Sequence, residues 1–317
     1  MYDIMVIDAQ WLLTRNYHAI KHSYEGELDE NAYKVIASSV IQSIVKLIEE
    51  LPSRKVILVF DTYPYYKSTM LNDEFKDSRI YVTDEDVEEE TDPEKKAELA
   101  IEAFNLKQRG KAKMLLKQLS EYGLPSFFKS GYEADDLVYI IASKIKELDL
   151  NGVIISIDSD WNYWINENVD WYSPKRGTTT YKDTIDYLQM PEGLSLFEYK
   201  RLYDSFYGSH NDYRQTVKDE LYEYSFNDFY KMFIESKDRN ELFSDYEKFL
   251  AQYDALGITE YPEFNKVQSM MYYIDKSGSI PSQGQWEMFS TKNGLTVNAS
   301  YFNRLLKYLD SNFYQDK

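Results

Sequence analysis

Three apolar, β-branched runs in this chain each finish on an aspartate: IMVID on Asp8, VILVFD on Asp61 and VIISID on Asp158. In open parallel sheets ligands bind beyond the carboxyl ends of the strands, so three such runs would bring three acids to one functional edge. Asp160 follows Asp158 by two, and Glu133, Asp135 and Asp136 stand at the start of a helical pattern, with Glu133 and Asp136 three apart and able to share a face. Any one of these acids has a structural explanation, because aspartate after a strand or at a helix start is an ordinary cap. Six or seven converging is a different matter. Two like charges ~5 Å apart repel by roughly 3 kcal/mol at an effective dielectric of ~20, so such a cluster requires cations. Oxygen ligands without His or Cys select Mg²⁺ or Mn²⁺ over zinc. Two such ions about 4 Å apart can activate a water and stabilise the leaving oxygen in phosphodiester hydrolysis. Other phosphate chemistries fit worse: a phosphoaspartate hydrolase would want an aspartate where Gln10 stands, and the GxxxxGK[ST] of a P-loop is absent.

The elements that must position these acids can be read from periodicity. The three runs ending at Asp8, Asp61 and Asp158 have the length and composition of buried parallel strands. Helices are expected over Ala32–Leu51, Lys111–Tyr122 and Glu133–Leu148. Strands alternating with helices imply an α/β fold, a mostly parallel central sheet flanked by helices. Residues 62–110 form an unusually long polar insertion, and 84–94 (DEDVEEETDPE) hold eight acids and no base. Such a stretch reads as a solvated, mobile segment, expected to be disordered over 80–110 without substrate. SPKRGTTTY after Tyr172 suggests a turn between short strands, and the chain from Leu194 onward is aromatic-rich and helical. A boundary near residue 190 divides a catalytic region, 1–190, from a helical C-terminal region, 191–317.

Composition sets outer bounds. With 317 residues, 43% hydrophobic and 28% charged, the chain can bury a core, and with no cysteine it has no disulfide, thiolate zinc site or cysteine nucleophile. No apolar run approaches the roughly 18–20 residues of a membrane span, and no signal pattern is visible, so a cytoplasmic protein without a membrane partner is expected. Thirty-six basic against 54 acidic residues give a net charge of −18, which by itself argues against nucleic acid as a partner. The excess is uneven, however, and the run at 84–94 carries much of it. Of the 30 tyrosines, Tyr63, Tyr65 and Tyr66, between Asp61 and Lys67, are placed to stack on bases.

In combination the motifs resemble the flap-endonuclease family of structure-specific 5′-nucleases, most closely its T-even phage RNase H branch. The matching pieces are VIDAQWLLTRNYHA (Val6–Ala19), VFDTYPYYK (Val59–Lys67), FKDSR (Phe75–Arg79), GYEADDL (Gly131–Leu137), ISIDSDWNYWI (Ile155–Ile165) and YGSHNDYR (Tyr207–Arg214), in the family's order. They cover residues 1 to about 215. The resemblance implies a PIN-like 5′-nuclease core with a helical arch inserted at about 62–110 and a DNA-binding C-terminal region. It implies a first metal site at Asp8, Asp61, Glu133 and Asp135, and a second at Asp136, Asp158, Asp160 and Asp212. Lys76 and Arg79 match the catalytic cations at the base of the arch, beside Asp135 and Asp158 in the catalytic set. Arg15, Tyr17, Tyr63, Lys67 and Arg214 are the implied substrate contacts, with core packing the alternative for Tyr17 and His18. The implied activity is a Mg²⁺- or Mn²⁺-dependent 5′→3′ exonuclease and flap endonuclease, with two ions. It would remove RNA primers and short flaps in replication or repair, beside a polymerase, a sliding clamp or a single-strand-binding protein. Two departures stand out. No glycine lies between Gly208 and Gly257, where many members carry a glycine-rich duplex-binding motif, and Ser209 replaces a frequent aspartate. The competing readings are a PIN-type ribonuclease, usually half this length, and a nuclease-derived binding protein that has lost turnover.

Overall fold

The computed structural model describes residues 1–62, 82–122, 124–190, 193–207 and 224–236, with short pieces at 249–250, 253–254, 288–289 and 291–295. Its centre is a six-stranded sheet of β1 (Tyr2–Asp8), β2 (Ser53–Val59), β3 (Ser126–Phe127), β4 (Gly152–Ile155), β5 (Val169–Ser173) and β6 (Gly177–Thr179), in the order β3-β2-β1-β4-β5-β6. Neighbours from β3 through β5 pair in parallel, and β6 is an antiparallel edge strand. The continuous apolar runs follow from burial on both faces. Met5, Ile7, Val56, Leu58, Val153 and Ile155 enter one core, and Ile4, Val6, Ile57, Val59 and Ile154, alternating with them, enter the other.

The first core is closed by α1 (Ala9–Ser23), α2 (Ala32–Glu50) and α4 (Pro93–Lys117). The second is closed by α5 (Ala134–Glu147), the 3₁₀ turn Ser159–Tyr163 and α6 (Tyr181–Leu188). α7 (Leu196–Tyr207) and α8 (Phe226–Glu235) build a third, largely aromatic cluster around Tyr199, Phe206, Phe229 and Phe249. Among the described residues, no helix is long and apolar enough to cross a membrane.

The acidic segment departs from its sequence reading. Where the sequence suggested disorder over 80–110, the structure has α3 (Asp84–Glu89) and α4, which begins at Pro93 and not at Lys111. Local caps compensate for the missing apolar groups. Thr83 and Asp86 make a reciprocal capping box, and Asp92 accepts from Glu94 N and Lys95 N with Pro93 at the first helical position. The acids of the first turns also favour the helix dipoles. No residue of α4 is buried before Ala103, so its first ten residues project from the fold. Farther along, buried Asn105 clamps the α1–α2 connection, donating from Nδ2 to the Gly26 carbonyl at 2.7 Å and accepting Leu28 N–H at 3.0 Å. Lys107 pairs with Asp84 at 2.7 Å, and Lys21 with Glu102.

The clamp gives a stability prediction. Asn105→Ala leaves two backbone groups without their partner and should lower the unfolding free energy by about 2–3 kcal/mol in urea. Asp92→Ala, which removes only a cap, should cost about 1 kcal/mol. Equal losses would show that α4 is held by its own propensity and not by Asn105.

Candidate active site

The strand order reverses direction at β1, the position where α/β sheets open a crevice at their carboxyl edge. Asp8 ends β1 there and caps α1: its Oδ1 accepts Trp11 N–H at 2.8 Å, while Oδ2 accepts the Ser156 hydroxyl at 2.7 Å from just beyond β4. Ser156, fully buried, also accepts the Asp158 N–H at 3.0 Å, so one hydroxyl fixes two of the strand-end acids relative to each other. Asp61, two residues past β2, accepts Ala134 N–H at 2.8 Å and so ties its strand to the start of α5. Gly131, at φ +91°, makes the turn that a side chain would strain and delivers Glu133 to the N-cap of α5. Asp136 accepts Glu133 N–H at 2.9 Å, and Asp135 accepts the Trp161 indole N–H at 2.8 Å. Asp158 caps the 159–163 turn through Asp160 N–H at 3.0 Å.

These acids feel one another. Burial pushes the Asp8 carboxyl up to about 7, and the charges of Asp61 and Asp158 add to this against the hydrogen bonds from Trp11 and Ser156. Asp158 is raised as well, by desolvation first and then by Asp160 and Asp61, partly offset by the Asp160 N–H and by Lys200. The donors are hard oxygens with no His or Cys among them, the chemistry that suits Mg²⁺ or Mn²⁺. As the side chains stand, no group of three or more His, Cys, Asp or Glu among the described residues is arranged to hold an ion. The hydrogen bonds just described turn carboxylate oxygens of Asp8, Asp61, Asp135, Asp136 and Asp158 toward N–H or O–H groups of the scaffold.

Of the residues expected from sequence, Asp8, Asp61, Glu133, Asp135, Asp136, Asp158 and Asp160 are placed on strand ends and adjoining caps. Tyr63, Lys67, Lys76, Arg79, Asp212 and Arg214 lie outside the described residues, as do Tyr65 and Tyr66. Arg15 donates to Ser43 Oγ at 2.8 Å and covers the Trp11 ring at 5.1 Å. Tyr17 is 1% exposed inside the first core, with the Arg109 guanidinium 5.7 Å from its ring, which is the packing alternative. Sequence reasoning passed over Ser156, Trp161, Lys200 and Asp204. In the structure Lys113 donates to the Asp61 backbone carbonyl at 2.7 Å, and burial and the neighbouring Lys117 bring its ammonium down to about 8.

Asp8 yields a pH prediction with a defined sign. A carboxyl raised in the folded state stabilises the fold below its unfolded value near 4, and that contribution is lost as pH rises to about 7. In chelator, the wild type should therefore lose stability relative to Asp8→Asn between pH 4 and 7, by on the order of 4 kcal/mol at full ionisation. Urea melts at pH 5 and 8 measure this. Parallel pH profiles of the two proteins would mean that Asp8 carries no uncompensated charge.

Comparison with known proteins bears on this geometry. Residues 3–190 match the family described as 5′-3′ exonuclease, N-terminal resolvase-like domain. The fold matches the bacteriophage T5 D15 protein co-crystallised with metal ions, at 18% identity and TM-score 0.58, over 86% of this chain and 100% of that one. It also matches the bacteriophage T5 D15 flap endonuclease in a pseudo-enzyme–product complex with DNA and metal ions, at 19% identity and TM-score 0.57, over 86% and 98% of the two chains. T5 5′-exonuclease with bound zinc aligns at 19% identity and TM-score 0.56, over 86% and 100%. With the family match spanning more than half the sequence, the chain belongs to the 5′-3′ exonuclease family.

Proposed function

We propose that the protein is a divalent-metal-dependent 5′→3′ exonuclease and flap endonuclease that hydrolyses phosphodiesters at the 5′ ends of DNA or RNA–DNA duplexes. The observation that carries this reading is the placement of Asp8, Asp61 and Asp158 at the carboxyl edge of the sheet, with Ser156 linking Asp8 to the Asp158 N–H and Asp61 bound to the start of α5, within the segment that matches the exonuclease family. Asp8, Asp61, Glu133 and Asp135 would hold a first ion, and Asp136, Asp158, Asp160 and Asp212 a second. Bound there, Mg²⁺ or Mn²⁺ would supply an activated water and offset charge on the leaving oxygen. The chain's own residues do the positioning. Ser156 and Lys113 hold Asp8, Asp158 and the Asp61 backbone in register, Lys76 and Arg79 orient the scissile phosphate, and Arg15, Tyr63, Lys67 and Arg214 contact the strand. The buried position of Tyr17 favours packing for that residue.

The DNA and metal ions in the T5 flap endonuclease complex support nucleic acid as substrate and divalent cations as cofactor. A role in primer removal during replication, a polymerase, clamp or single-strand-binding partner and affinity to the T-even phage RNase H branch rest on the sequence motifs.

A 5′-labelled flap duplex should be cleaved with Mg²⁺ and left intact in chelator. Cleavage of unstructured RNA alone would favour a PIN-type ribonuclease, and tight binding without cleavage would favour a nuclease-derived binding protein. Asp135→Asn should abolish cleavage with unchanged circular dichroism, and Mg²⁺-dependent turnover in that variant would remove Asp135 from the site. Lys76→Ala should reduce the single-turnover rate by about 10²–10³ with little change in substrate affinity. Weaker binding at an unchanged rate would reassign Lys76 to backbone contact.

A further inference from the structure

A cation of the protein's own already stands beside one part of the carboxylate set. Lys200, on α7, places its ammonium 3.2 Å from Asp160 Oδ1 and 2.6 Å from Asp204 Oδ2, with a side chain only 9% exposed. The Tyr163 ring lies 4.9 Å away and supplies its face to the same charge. A lysine buried to this degree needs charged partners, because an ammonium removed from water without them is strongly disfavoured. The two partners differ in kind. Asp204 is one helical turn away on α7 and makes the shorter contact, so it moves with Lys200. Asp160 comes from the turn after β4, across the boundary between the sheet domain and the C-terminal helices, and makes the longer one. The charge of Lys200 also reaches Asp158, where it counteracts the burial and neighbouring acids that raise that carboxyl.

We infer that Lys200 is a built-in counter-cation for Asp158 and Asp160, which a divalent ion displaces onto Asp204 when it binds. The inference rests on the proposed role of Asp160 as a metal ligand. Without metal, the ammonium offsets repulsion between the two aspartates and fixes α7 against the 159–163 turn. With metal, Asp160 exchanges one cation for another while Lys200 keeps its ion pair within α7, so neither buried charge is left unpaired. Two consequences follow from this exchange. The ion at Asp158 and Asp160 binds more weakly than the bare count of carboxylates would give, because it competes with a tethered ammonium. Its binding also loosens the contact between α7 and the sheet domain, coupling the metal to the position of the C-terminal region.

The test uses the full chain and Mn²⁺ alone, with bound ion counted by electron paramagnetic resonance at pH 7.5. Lys200→Met removes the competitor and should tighten the weaker Mn²⁺ site by about tenfold, the size of effect that outer partners of metal ligands commonly have. Asp204→Asn removes the place to which the ammonium retreats, leaves it on Asp160, and should weaken the same site by a similar factor. Shifts in opposite directions support the exchange, since damage to packing alone would weaken binding in both variants. If Lys200→Met folds poorly, the Asp204→Asn arm still decides, because unchanged or tighter binding there overturns the inference. Asp160→Asn separates this from the reading beneath it. Loss of a Mn²⁺ site in Asp160→Asn, with no opposite shifts in the other two variants, would leave the metal site standing and reduce Lys200 to a structural ion pair. Undiminished Mn²⁺ binding in Asp160→Asn would remove Asp160 from the ligands and the exchange with it.

Discussion

Like charges brought together in a partly dry crevice repel, and the sheet edge of this protein is organised around that repulsion. Asp8 sits on the central strand with both oxygens engaged by the scaffold, and burial and two neighbouring carboxylates still raise it to about 7. The surrounding elements act to hold the acids despite this. Ser156 bridges from the next strand, the amide ends of α1 and α5 face Asp8 and Asp61, and Trp161 holds Asp135. Folding energy from two apolar cores is thus used to hold together carboxylates whose charges oppose one another.

The net charge of −18 is compatible with a nucleic-acid partner because the sign of charge changes along α4. Its start and the preceding α3 carry the acidic run on exposed positions. Arg109, Lys113 and Lys117 then follow at four-residue intervals, so they share one face of the helix. Arg109 donates to Thr14 Oγ1, Lys113 to the Asp61 carbonyl, and Lys117 lies over the Phe128 ring at 3.7 Å. Local potential and not the total is what a phosphate meets, and here a row of cations leads to the strand-end acids.

Much of the frame was legible in the sequence because its signals are local. Strand runs ending on Asp8, Asp61 and Asp158, the α5 pattern after Gly131, and the strand–turn–strand around SPKRG are each written in consecutive residues. The residues that position the acids were not legible. Ser156 meets Asp8 across 148 positions, and nothing in ISID distinguishes a bridging serine from an ordinary one. Lys200 lies in an aromatic helix whose pattern announces only packing. The helical residues at 84–110 were missed for a physical reason: apolar periodicity is a weak guide where caps and a solvated helix do not require it. Asn105 illustrates the same gap, being a polar residue buried to serve a loop 77 positions away.

The central claim is that the strand-end carboxylates are a cation site, and the most direct measurement is anomalous scattering from a crystal soaked in Mn²⁺ at neutral pH. The account predicts manganese density bounded by Asp8, Asp61 and Asp158, with Asp135 or Asp160 turned from its present hydrogen bond or ion pair toward the ion. Manganese bound elsewhere, with this crevice empty and Asp8 still hydrogen-bonded as in the free protein, would contradict it.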